Sequence, residues 1–257
     1  MRRRTIAACL LLLAAPATAR ADAPPAAANP SAPTATPAAT TPATAPKAMG
    51  ATEAAARLDH AAPPITAVLQ ARYPTDYSAL VTQTAGGVPP GVLLLGEVRH
   101  VKQAYGDAVI HAPEASLRAL IGADHALIQA AAEHDAALCP ALVTGPVPPL
   151  PDGPVTAAYE GRTAALLTAI ADARDHPVTE RRANPDDYKA FAAAARRSGV
   201  GVAGWAVLAP TNVVHAKPDD VCRALLSVDA TVLAMHDDVA DRVLADLAAT
   251  LASQQGR

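Results

Sequence analysis

Glu97-Val98-Arg99-His100 is an E-x-x-H pattern, the spacing found in the di-iron sites of helix bundles. A complete site needs a second E-x-x-H and two further glutamates from other helices, and the chain has no second copy. At about 100 degrees per residue, Glu97 and His100 lie beside the apolar face of their predicted helix. We therefore expect a solvated flank and no metal site. That apolar face is predicted to comprise Leu94, Leu95, Val98, Val101 and Tyr105.

The histidines and the short catalytic motifs point to no reaction. His125 and His134 are nine residues apart and about half a turn out of phase on one helix, so they cannot share an ion. The sequence contains no H-E-x-x-H, no G-x-S-x-G, no glycine-rich phosphate loop and no C-x-x-C. We assign no catalytic residue and no cofactor. Because many hydrolases lack these motifs, an envelope hydrolase with an unrecognised active site remains the alternative.

Asp124 and Arg162 are the charged exceptions on two apolar helix faces. Asp124 lies in the middle of a stripe that includes Leu120, Ile121 and Leu127, where an isolated carboxylate would be costly. Arg162 lies on the stripe of the next long helix. Both are midway along helices joined by a short Pro/Gly-rich segment, which favours antiparallel packing. The pair is predicted to be buried together, either as a structural ion pair or as part of a ligand-binding or acid/base site.

Cys139 and Cys222 are the two cysteines that follow the N-terminal segment. In an exported protein such a pair is typical of a disulfide, because the compartment is oxidising. The bond would join the end of the 113–136 helix to the start of the 218–234 helix. The alternative is two buried thiols.

Apolar residues recur at helical spacing over most of residues 51–257, with Pro and Gly clusters between the segments. Asn184-Pro185-Asp186-Asp187 has the composition of a helix start. Only Val200–Leu208 could be extended, and one strand has no partner. We predict an all-α, irregular multi-helix bundle. The predicted helices are 51–60, 64–72, 75–85, 90–105, 113–136, 154–175, 185–198, 218–234 and 237–253.

Residues 1–21 have the features of an export signal. Three arginines precede an apolar run from Ile6 to Ala15, and Ala19-Arg20-Ala21 fits the small-x-small cleavage rule. The run is too short to span a bilayer, and Cys9 lies inside it, which disfavours lipidation. Residues 22–50 are almost wholly Ala, Pro and Thr and are predicted to be a disordered linker. The expected organisation is thus a cleaved signal, a linker and a helical domain over 51–257, in the periplasm or secreted.

The charge and the aromatic content of the chain limit the classes of partner that we expect. Loss of the signal removes four arginines from a chain of net charge −3, so the mature protein is mildly acidic and has no basic cluster. This argues against nucleic acid and against stable membrane binding. With one Phe, one Trp and five Tyr, no stacking platform for bases is evident. We expect a non-catalytic helical protein of the bacterial envelope that binds another envelope protein or a small ligand, with a small metal carrier as the least favoured option.

Overall fold

The computed structural model describes residues 49–145, 147–150, 152–199 and 201–253 of the 257-residue chain. It is an all-α, multi-helix fold, and no strand occurs among these residues. Two 3₁₀ segments span Gly106–His111 and Val202–Leu208. The α-helices in chain order are α1 (Ala51–Ala61), α2 (Pro63–Arg72), α3 (Pro74–Ala85), α4 (Pro90–Tyr105), α5 (Glu114–His134), α6 (Leu138–Thr144), α7 (Pro154–Asp175), α8 (Pro185–Arg197), α9 (Pro210–Val213), α10 (Pro218–Ala234) and α11 (Asp238–Ser253).

The predicted fold class is confirmed, and the long helices lie where the apolar periodicity places them. Proline occupies the first turn of most helices, where its missing N–H costs no hydrogen bond. The Asn184 side chain accepts hydrogen bonds from the backbone N–H groups of Asp186 and Asp187 and forms a capping box with Asp187. Asp237 caps α11 by accepting from the backbone N–H of Ala240 at 2.9 Å. Helix starts are therefore specified locally.

Helices α5 and α7 pack against each other along their length and run antiparallel. Arg162 of α7 contacts Asp124 of α5, and Asp172, ten residues further along α7, accepts a 2.6 Å hydrogen bond from Ser116, eight residues earlier in α5. Helix α10 lies against α5, and α11 contacts α5, α8 and α10. Tyr73 at the end of α2 donates to the backbone carbonyl of Leu167 in α7 at 2.9 Å. The buried α5–α7 pair is thus the centre of the bundle.

The core consists of two apolar clusters. The larger joins α2, α3, the inner faces of α5 and α7, and most of α11. The smaller surrounds the disulfide and includes Leu127, Ile128, Leu142 and Val155. The charged residues in the middle of α5 and α7 lie at the junction between the two clusters.

The prediction of the buried apolar face of α4 is partly wrong. Leu94 and Val101 are buried, whereas Leu95 is 56 % and Tyr105 is 37 % exposed. The reason is that α4 lies at the edge of the bundle and is covered on one narrow side. Arg174 of α7 lies over the Tyr105 ring, 4.0 Å from its centroid, a cation–π contact that leaves the ring partly in solvent.

The possible strand is a 3₁₀ segment. Trp205 in this segment stacks on Phe191 of α8 with ring centroids 5.0 Å apart, and its Nε1 donates to Ser227 Oγ at 2.6 Å. A single extended segment would leave its backbone groups unpaired, and the 3₁₀ turn pairs them internally.

The predicted signal peptide, Cys9 and the linker up to residue 48 lie outside the described residues. Within the described part of the chain, no helix combines the length and the apolar character needed to cross a bilayer.

Candidate functional site

Asp124 and Arg162 meet in the interior. Arg162 Nη1 donates to Asp124 Oδ1 at 3.1 Å, and the side chains of Arg162 and Asp124 are 13 % and 12 % exposed respectively. The Arg162 guanidinium also lies 5.1 Å from the centroid of the Tyr159 ring, one turn earlier in α7. The structure therefore brings together the two charged exceptions of the sequence, with an aromatic face supporting the cation.

Asp229 of α10 is a third charged residue of this cluster, and the sequence analysis missed it. It is only 5 % exposed, and its Oδ2 is buried with no hydrogen-bond partner among the described residues. The sequence feature that identifies Asp124, a charged residue on an apolar helix stripe, is also present at Asp229. It lies four residues after Leu225 and three before Val232, on the apolar stripe of its helix.

A cavity of about 590 Å³ opens beside Asp124, Arg162 and Asp229. This volume is in the range of small-molecule sites in proteins. Seven helices and the Val202–Leu208 segment contribute to its wall, which is mostly apolar. The apolar wall includes Ile121, Ile128, Leu142, Val228, Val243 and Leu247.

Aromatic side chains are concentrated at this cavity. The chain has a single Phe and a single Trp, and both Phe191 and Trp205 line the cavity, as does Tyr188. Phe191 and Trp205 form the stacked pair described above. Rigid aromatic walls bury large ligand areas at low cost in side-chain entropy, so this lining suits a bound molecule better than solvent.

Burial shifts the titration of both carboxyl groups. Desolvation raises the pKa of Asp124, and the positive charge and hydrogen bond of Arg162 oppose this effect. Desolvation, and then the neighbouring charge of Asp124, hold the pKa of Asp229 well above its ordinary value. One guanidinium neutralises one carboxylate. We therefore expect Asp124, which accepts the hydrogen bond from Arg162, to ionise first, and Asp229 to keep its proton to higher pH.

The disulfide joins two walls of the cavity. Cys139 and Cys222 are bonded, with Cα atoms 5.2 Å apart and a sequence separation of 83. The predicted pairing is confirmed, but Cys139 belongs to the separate helix α6 and not to the end of α5. Leu142 of α6 and Leu225 of α10, each three residues after a bonded cysteine, line the cavity. The bond therefore restrains the distance between α6 and α10.

Arg162 also lines a second, smaller pocket. This pocket has a volume of about 410 Å³ and includes Arg99 and Lys102 of α4. Burial, and then the positive charge of Arg162, lower the pKa of Lys102 to about 8. Arg162 thus separates a cavity containing carboxyl groups from a pocket containing cations.

Glu97 and His100 of the E-x-x-H pattern line neither the cavity nor the smaller pocket. His100 is exposed, but Glu97 is half-buried, and its Oε1 has no hydrogen-bond partner within the described regions. Desolvation raises the pKa of Glu97, and the negative charge of Asp76 adds to the effect. Across the described residues, no group of three or more His, Cys, Asp or Glu is placed to hold a metal ion.

Comparisons with protein families, with characterised proteins and with solved structures find no match to this chain. Any assignment of function therefore depends on the geometry of the cavity.

Proposed function

We propose that this is an exported, non-catalytic ligand-binding protein of the bacterial envelope, and that the cavity at Asp124, Arg162 and Asp229 holds a small, mainly apolar molecule. The observation that carries the proposal is Asp229. Its unpartnered carboxyl oxygen is buried at a cavity large enough for a ligand. A buried polar atom without a partner costs about 1–3 kcal/mol. A ligand group that bonds to it recovers that cost.

The position of the cavity supports the same conclusion. It lies where the two apolar clusters meet, so filling it with side chains would have joined them into one core. Close packing is the rule in protein interiors, and a cavity of this size lowers stability. A cavity kept beside a charged cluster is consistent with a binding role.

A hydrolase is the second candidate, because Asp124 and Asp229 form a pair of neighbouring carboxyl groups with raised pKa values. Paired carboxyls are one means of acid/base catalysis. The hydrogen bond to Arg162 favours binding over catalysis, since it engages Oδ1 of Asp124 in an ion pair and so makes this oxygen less available to a substrate. A hydrolase would lose turnover of its substrate in both Asp124→Asn and Asp229→Asn. A binding protein would show no turnover in any form.

The binding proposal is tested with N-phenylnaphthylamine, a neutral apolar dye whose fluorescence rises in dry surroundings. We expect saturable binding at one site per chain. Val228→Trp fills the cavity and should abolish the signal, whereas Ala230→Trp, at an exposed position two residues away on α10, should leave it unchanged. Leu247→Phe is a milder filling variant in case Val228→Trp does not fold. Equal dye binding by folded wild-type, Leu247→Phe and Ala230→Trp proteins would overturn the proposal.

The export part of the proposal is supported by the features of residues 1–21 and by the disulfide. Expression of the full chain in a bacterium should give a product outside the cytoplasm that begins at or near Asp22. Intact-mass measurement checks this. A species that keeps residues 1–21, or that carries a lipid on Cys9, would contradict it.

A further inference from the structure

Two carboxyl groups and one guanidinium face the large cavity, so one of the two carboxyl groups has no cationic partner. Arg162 forms its hydrogen bond with Asp124, and Oδ2 of Asp229 has no hydrogen-bond partner among the described residues. Across its described lining, the cavity offers no lysine, no histidine and no second arginine. From these observations we infer that the ligand is an amine with an apolar body, whose ammonium group supplies a cationic partner at Asp229. The inference rests on the proposed ligand-binding role and names the chemistry of the ligand.

The aromatic wall supports a cation. Trp205 and Phe191 line the same cavity as Asp229, and indole and phenyl faces attract ammonium groups when water is excluded. A buried carboxylate together with aromatic faces is a favourable environment for an amine, because the carboxylate neutralises its charge and the rings cover its methylene groups. The leucine, isoleucine and valine side chains of the remaining wall would accommodate the apolar body.

An anionic ligand is disfavoured in the same place. Its charge would lie near Asp124 and Asp229, and it could gain only by drawing Arg162 away from Asp124. A neutral alcohol could hydrogen-bond to Asp229 but would leave the charge of the cluster unchanged. The order of affinity expected for molecules of equal length is therefore amine, then alcohol, then carboxylate.

Proton exchange distinguishes these cases. Burial raises the pKa of Asp229 and favours its neutral form, so an ammonium group that binds as a cation at Asp229 should drive the proton of this carboxyl into solvent. Besides Asp229, the charged or titratable residues that line the cavity are Asp124 on α5, Arg162 on α7 and Tyr188 on α8. His125 on α5 acts on Asp124, and the Tyr188 hydroxyl donates to Asp246 of α11. The described cavity-lining residues of α11 are Val243, Leu247, Thr250 and Leu251, which do not titrate. Release of about one proton per bound amine is therefore assigned to Asp229.

The experiment is calorimetric titration of the mature protein at pH 7 with octylamine, octanol and octanoate, in two buffers of different ionisation enthalpy. We expect octylamine to bind about tenfold or more tightly than octanol, with release of about one proton. Asp229→Asn keeps the shape but cannot ionise. It should weaken octylamine binding by about tenfold and leave octanol binding within about twofold.

Asp219→Asn is the matched control. It removes a carboxylate from an exposed position in the first turn of the same helix, and the affinities for octylamine and octanol should both stay unchanged. Octanol binding as tightly as octylamine, or octanoate binding more tightly, would overturn the amine inference while leaving the binding proposal in place. Failure of all three probes to bind, together with no dye binding, would overturn both.

Discussion

Arg162 Nη1 lies 3.1 Å from Asp124 Oδ1, and the buried Asp229 carboxyl is close enough for the charge of Asp124 to raise its pKa. Arg162 is therefore paired with the Asp124 carboxylate, and the Asp229 carboxyl lies nearby as a second possible partner. This arrangement makes the three residues unequal in their contribution to stability, since a carboxyl can be neutralised by a proton and a guanidinium cannot.

The first prediction concerns the loss of each partner. Arg162→Ala leaves two buried carboxyls without a cation and should lower the free energy of unfolding by about 3 kcal/mol. Asp124→Ala should cost less, about 1–2 kcal/mol, because Asp229 can ionise and pair with Arg162. In an Asp229→Asn background no second carboxyl can pair with Arg162. There Asp124→Ala should lower the free energy of unfolding by about 3 kcal/mol, as Arg162→Ala does. Urea unfolding at pH 7 measures the wild type, the three single variants and the double variant. An equal cost of Asp124→Ala in both backgrounds would show that Asp229 does not substitute for it.

The second prediction concerns pH. The folded-state pKa of Asp229 is raised well above its ordinary value of 3.8, so above pH 4 the folded protein keeps a proton that the unfolded chain has lost. Stability is therefore lost as pH rises, by at most about 1.4 kcal/mol per pH unit up to the folded pKa. Asp229→Asn lacks this dependence. Its free energy of unfolding should match that of the wild type near pH 4 and exceed it increasingly as the pH rises to the folded-state pKa of Asp229.

The difference in unfolding free energy between wild type and Asp229→Asn reports on the Asp229 carboxyl alone, because the other titrating side chains contribute equally to both proteins. Parallel curves of unfolding free energy against pH would contradict the assignment of a protonated Asp229. If Asp229→Asn is more stable than the wild type and also binds octylamine more weakly, Asp229 lowers stability in order to bind its ligand, as functional residues commonly do.

The third prediction concerns the disulfide. Replacing Cys139 and Cys222 with alanine should lower stability by about 4–5 kcal/mol in the chain-entropy model, since the bond closes a loop of more than 80 residues. Peptide mapping without reductant should recover the linked pair. Reduction should also weaken dye binding, because α6 and α10 both line the cavity. Two thiols that alkylate freely in the native protein would rule the bond out.

The fourth prediction concerns Lys102. Its pKa of about 8 means that about half of its side chains are neutral at pH 8, so it should react with acetic anhydride at lower pH than the exposed Lys189 and Lys217. Mass spectrometry across pH 6–10 follows each site separately. Modification of Lys102 in parallel with the two reference lysines would show that burial and the charge of Arg162 do not lower its pKa.

Local signals in the sequence predict much of this architecture. Prolines at helix starts, the Asn184 cap and the 3.6-residue period depend on residues within one or two turns, so the helix positions can be read without knowing what each helix touches. The Asp124–Arg162 contact can be predicted too, because a charge on an apolar stripe needs a partner and the adjoining long helix has one. Asp229 carries the same mark on α10, and applying the rule to every helix would have found it.

The cavity is a property of the tertiary structure alone. Its wall combines residues as far apart in sequence as Ile121 and Leu251, and its volume is the space that the seven surrounding helices and the Val202–Leu208 segment leave between them. Helical periodicity indicates which face of a helix is buried, but not how closely the facing side chains interlock. That depends on the crossing angles of the helices and on the sizes of side chains from seven helices together. For the same reason the sequence predicts a buried charged pair, while only the packed helices decide that a third carboxyl and an apolar cavity lie beside it.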